Sequence, residues 1–103
     1  MFPPVVETAI DPFAIEAASN YPYDVPHIAV NYNREEIGID VGYWRSVSHA
    51  LNCFVAESFM DELASAAGKD PYAFRAAMLD KQPRFKRVLD EAASRAGWGK
   101  APA

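Results

Sequence analysis

Arg45 sits where an extended aromatic stretch becomes a long helical run, with two serines directly behind it in Gly42-Tyr43-Trp44-Arg45-Ser46-Val47-Ser48. A guanidinium offers five donors in a rigid fork, and a helix start leaves backbone N–H groups without intrahelical acceptors. Together they suit phosphate or another oxyanion. The competing reading is a structural ion pair between Arg45 and an acid such as Asp40. Trp44, large and amphipathic, suits a core edge, an interface or a substrate wall equally.

The other reactive side chains point to less. His27 and His49 lie far apart, with no cysteine or acid pair at ligand spacing, which argues against a metal held by protein ligands. His49 can touch a ligand at the junction or simply face water at a helix start. Cys53 follows His49 by one helical turn, so the two can share a face. Nothing specifies an activated thiolate or an oxyanion site beside it, and Cys53 is expected to be a small core residue. Glu57 and Asp61 share another face, better read as a solvated acidic surface than as an acid/base pair.

These residues need elements to hold them. Residues 1–26 carry Pro3, Pro4, Pro12, Pro22 and Pro26, five of the eight prolines, and are expected to form an extended arm. Within it, Asp11-Pro12 can start a short helix through Ala18. Residues 27–44 alternate, with Ile28, Val30 and Tyr32 and then Ile37, Ile39, Val41 and Tyr43 on one face, the period of two half-buried strands joined by a turn. A lone hairpin is marginal in water, so such strands require covering helices or a sheet elsewhere.

Helical spacing then takes over. Residues 46–67 form the longest predicted helix, capped by Ser46 or Ser48, with Leu51, Phe54, Val55, Phe59 and Leu63 as its apolar stripe and Gly68 as its stop. Asp70-Pro71 opens a second helix over 70–80. Pro83 opens a third over 83–97, ended by Gly97, with Trp98 folding back on the last turn. The expected fold class is α+β: an extended N-terminal arm and a two-stranded element followed by three helices, in a single domain.

Composition sets the outer limits. The chain has 103 residues, half of them hydrophobic and 23% charged, a globular balance with room for one modest core. A net charge of -4 argues against a nucleic-acid partner, which wants a basic surface. Cys53 is the single cysteine and has no internal disulfide partner. No apolar run is long enough to span a bilayer, and no basic-then-apolar leader opens the sequence, so neither a membrane span nor a targeting signal is expected.

The order of motifs resembles the large subunit of molybdenum hydroxylases of the xanthine dehydrogenase and aldehyde oxidase superfamily, nearest to the isoquinoline oxidoreductase beta-subunit type. The resemblance covers residues 11–99. It is carried by Gly42-Tyr43-Trp44-Arg45-Ser46-Val47-Ser48-His49, by Val55-Ala56-Glu57-Ser58-Phe59-Met60-Asp61-Glu62-Leu63-Ala64, and by Gly68-Lys69-Asp70-Pro71-Tyr72-Ala73-Phe74-Arg75. Tyr21-Pro22-Tyr23-Asp24-Val25-Pro26 and Ala96-Gly97-Trp98-Gly99-Lys100 are similar to the narrower branch.

The resemblance implies an oxidoreductase that hydroxylates aldehydes or N-heterocycles with oxygen from water. Its cofactor would be molybdenum held by molybdopterin, as the cytosine dinucleotide, and its electrons would pass to an iron-sulfur small subunit or a cytochrome. On this resemblance Arg45, Ser46, Val47 and Ser48 contact the cofactor and Trp44 faces the substrate pocket. Two positions depart from the pattern: Ser48 stands where relatives carry glycine, and Leu51 where they carry glutamine. Such subunits are several times longer, and their glycine-rich cofactor loops and catalytic glutamate have no counterpart here. The chain is therefore expected to be an internal fragment whose partner is the remainder of the large subunit, inactive and without cofactor when isolated. The resemblance leaves a cytoplasmic or periplasmic location open. The second expectation is a non-catalytic interaction module of the same fold that forms a homodimer.

Overall fold

The structure, a computed structural model, describes residues 11–100. Helix α1 runs from His49 to Ala66. It starts where the Ser48 carbonyl accepts the Asn52 N–H at 2.8 Å, so Ser48 occupies the half-in position ahead of the first turn. It stops at Gly68, whose φ of +64° lets Lys69 N–H close back on the Ala64 carbonyl at 2.9 Å.

Asp70 then caps α2, Pro71–Ala77, by accepting the Ala73 N–H on Oδ2 at 2.9 Å, and Pro71 fills the first helical position, where no N–H is needed. Helix α3, Pro83–Ala96, also begins on proline. It ends at left-handed Gly97, with Trp98 N–H donating to the Ala93 carbonyl at 2.9 Å.

The expected α+β class is overturned: the described residues hold three helices and no strand, so this fold is all-α. The two-stranded element over 27–44 is extended chain without ladder hydrogen bonds. The alternation is real, but a strand exists only when another strand accepts its backbone bonds, and among the described residues none does. Gly38, at φ +70°, also breaks the second run. Apart from half-buried Tyr32, this segment is therefore exposed, Val41 at 90%. The short helix expected over Asp11–Ala18 is instead a run of turns over 12–20, interrupted by Ala17 at φ +66°. Residues 1–10 of the expected arm lie outside the described residues.

The chain divides into two compact units. One comprises residues 11–21 and 29–57 and contains the junction and the first half of α1; the other comprises 22–28 and 58–100. Every buried apolar side chain among the described residues belongs to the second unit: Tyr23, Met60, Ala64 and Leu79. There the Asp24 N–H donates to the Met78 carbonyl at 2.8 Å and Lys81 pairs with the Asp24 carboxylate at 2.8 Å, fastening residues 22–28 beyond the end of α2. On α1 it is the Met60–Ala64 line that is buried, not the expected stripe of Leu51, Phe54, Val55, Phe59 and Leu63, all of which are exposed. Apolar residues occur on more than one side of this helix, and the periodicity alone does not say which side finds a partner.

Candidate functional site

The junction is built by residues 44–48, which lie within the unit formed by 11–21 and 29–57. Trp44 ends the extended chain, residues 45–48 turn, and α1 begins. Two consecutive non-glycine residues take left-handed backbone angles, Ser46 at φ +73° and Val47 at φ +48°. For a β-branched valine that conformation is strained, and it persists only where surrounding contacts hold it.

The turn uses some of its own donors. Val47 N–H goes to the Trp44 carbonyl at 2.9 Å and His49 N–H to the Ser46 carbonyl at 3.0 Å. Among the described residues, the backbone N–H groups of Ser46 and Ser48 have no acceptor. Arg45 is exposed and forms no ion pair with Asp40 or any other described acid. Trp44 is 86% exposed beside it. The structure thus brings together a cation, two unused amides and an open indole. Val47, one of the four residues implied as cofactor contacts, has its amide committed to the turn.

A second set of residues braces this corner. Asn52, one turn into α1, donates its side-chain amide to the carbonyls of Ala14 and Glu16, at 3.0 and 2.8 Å. The Glu16 carboxylate approaches His49 Nε2 at 3.7 Å, and its Oε2 is buried without a hydrogen bond. The ring of Phe13 meets Tyr43 edge-on, centroids 5.8 Å apart at 75°. Sequence reasoning missed Asn52 and Glu16. The available signal was Asn52 itself, a poor helix former near a helix start, where its amide competes for local backbone groups.

The remaining candidates separate. Cys53 is exposed, not the core residue expected. Asp61 pairs with Arg75 Nη1 at 2.7 Å, which gives that acid a structural partner. His27 is exposed, and no group of three or more His, Cys, Asp or Glu among the described residues can hold a metal. No helix among them is long and apolar enough to cross a membrane. A shallow groove of about 490 Å³ runs along α3 past Asp80, Lys86 and Asp90. Within it Lys86 pairs with Asp80, Glu91 pairs with Arg95, and the Tyr72 hydroxyl donates to Asp90 at 2.7 Å; none of the junction residues lines it.

Among known proteins, the chain is similar to part of a multi-subunit oxidoreductase. That relative is a nicotinate dehydrogenase subunit of Pseudomonas putida, 39% identical over 77 residues, or 75% of this chain. The matched part is 6% of the relative, so this chain spans only a small portion of that protein's length. No family model matches the sequence. No solved structure matches it either.

Proposed function

We propose that this chain is part of the cofactor-binding subunit of a molybdenum hydroxylase, and that the 44–48 corner holds the anionic end of its molybdopterin cytosine dinucleotide. The observation that carries this reading is Arg45, exposed and without an acidic partner among the described residues, beside two amides that lack acceptors. That donor set fits a phosphate-bearing group, since a planar guanidinium and backbone N–H groups both favour an oxyanion. The likeness to a nicotinate dehydrogenase subunit supports a molybdenum hydroxylase-type relationship.

When bound, the molybdenum-pterin group supplies the oxygen-transfer and redox chemistry, by which such enzymes hydroxylate aldehydes or N-heterocycles with oxygen from water. The residues of this chain bind and orient. Arg45 neutralises charge, the amides of Ser46 and Ser48 donate to oxygens, and Val47 shapes the turn with its own amide. Trp44 offers an aromatic wall to a planar substrate. Ser48 carries a side chain where the family resemblance implies glycine, which narrows the approach of a ligand, and Leu51 has no group with which to donate. The catalytic glutamate and cofactor loops belong to the rest of a longer polypeptide, with an iron-sulfur subunit or a cytochrome as electron acceptor. The isolated chain is then inactive.

The exposed apolar side chains of the first unit, including Val41, Trp44 and Phe54, favour a second reading, a non-catalytic interaction module. Metal and pterin analysis of the full-length polypeptide, with isotope-labelled water and an N-heterocycle as substrate, distinguishes them. Molybdenum, pterin and label in the product support the first reading; their absence supports the second.

A further inference from the structure

Building on the reading of the junction as an anion-holding corner, we propose that Asn52 is its positioning residue: its double donation straps the 11–20 turn onto α1 and thereby fixes where Trp44 and Arg45 stand. The turn touches the chain just before the corner, where Phe13 meets Tyr43. It touches the chain just after the corner at His49, through Glu16, and at Asn52, through the Ala14 and Glu16 carbonyls. Residues 44–48 are thus held at both ends by one segment.

Of these contacts, only the Asn52 pair is a full set of directed hydrogen bonds. The Glu16 to His49 approach, at 3.7 Å, is too long for one, and the ring contact is not directional in the same way. The corner needs such a hold because Ser46 and Val47 sit in left-handed conformations that a free turn abandons. Two unrelated carbonyls, nearly forty residues away in sequence and aimed at one amide group, form a clamp that propensity at a helix start does not explain.

The experiment is nuclear magnetic resonance on the 103-residue chain with Asn52→Asp, which keeps the shape and replaces both donors with acceptors, and Asn52→Gln, which keeps the donors. Asn52→Asp is expected to abolish Phe13–Tyr43 ring contacts, shift the Trp44 indole signal and leave the signals of residues 58–96 in place. Asn52→Gln should restore part of the wild-type pattern. Inorganic pyrophosphate, the probe for the corner, should bind about tenfold more weakly to Asn52→Asp, as expected when one preorganising contact is lost. Phe13→Ala, which leaves Asn52 intact, should move Trp44 in the same direction and serves if Asn52→Asp disturbs residues 58–96 as well. An unmoved Trp44 signal in Asn52→Asp, or in Phe13→Ala where Asn52→Asp disturbs residues 58–96, overturns the proposal. If Arg45→Gln binds pyrophosphate as well as wild type while Asn52→Asp still shifts Trp44, the strap stands and the anion reading falls.

Discussion

Trp98 Nε1 donates to Asp70 Oδ1 at 2.9 Å, while the other oxygen of the same carboxylate caps α2 through Ala73 N–H at 2.9 Å. One side chain therefore ties the residue that follows α3 to the start of α2. The Ala73 N–H above all, and then the Trp98 indole, hold the Asp70 carboxyl below the usual aspartate range. A depressed folded value means that the contribution is present above the unfolded value, near 3.9, and is lost as pH falls through the lower folded one. The Trp98 indole resonance should thus shift only below about pH 4. Asp70→Ala should remove that acid step and, by taking away the cap, reduce helicity, as circular dichroism would register.

At the alkaline end the sign reverses. The hydrogen bond to Asp90 raises the Tyr72 hydroxyl above its ordinary value, and bonds to Asp80 and Asp24 raise Lys86 and Lys81. Raised groups contribute fully below their unfolded values, near pH 10, and lose that contribution as pH rises through the folded ones. Phenolate absorbance should therefore show a late-titrating tyrosine that Tyr72→Phe removes. A titration unchanged by Tyr72→Phe would contradict the Asp90 bond.

Met60 is only 2% exposed in a very small core. Met60→Ala should lower stability by about 2–3 kcal/mol, read from the urea midpoint. Leu51→Ala, at an exposed position of the same helix, should change it by about 0.5 kcal/mol or less. Equal costs at the two sites would contradict packing of α1 through its Met60 side alone.

The first unit exposes Ile37, Ile39, Val41, Trp44, Phe54 and Val55. Open apolar surface of this extent drives association when nothing covers it. Sedimentation of the isolated chain should show a mass that grows with concentration, and Val41→Asp with Phe54→Asp should suppress the growth. A monomer at every concentration would count against it.

The helices were legible because their ends are written locally: Asp70-Pro71, Pro83, Gly68 and Gly97 each act through bonds within a few residues. Strands were not, because the alternation of Ile37, Ile39 and Val41 records a preference that only a partner strand can realise. The buried line of α1 was hidden for a related reason, since burial depends on what packs against a helix that is apolar on several sides. At the corner, Arg45 and its neighbours could be picked out by residue type. Asn52 offered only the hint of a poor helix former near a helix start and Glu16 offered none, as their contacts join segments some 36 residues apart.

The central claim is that the Arg45 corner meets an anionic pterin. The most direct measurement is pterin and molybdenum content of the full-length polypeptide, purified as wild type and as Arg45→Gln from cells that make the cofactor. The account predicts a loaded wild type and a variant that retains markedly less of both while remaining folded. Equal loading of the two proteins, or no pterin in the wild type, would contradict it.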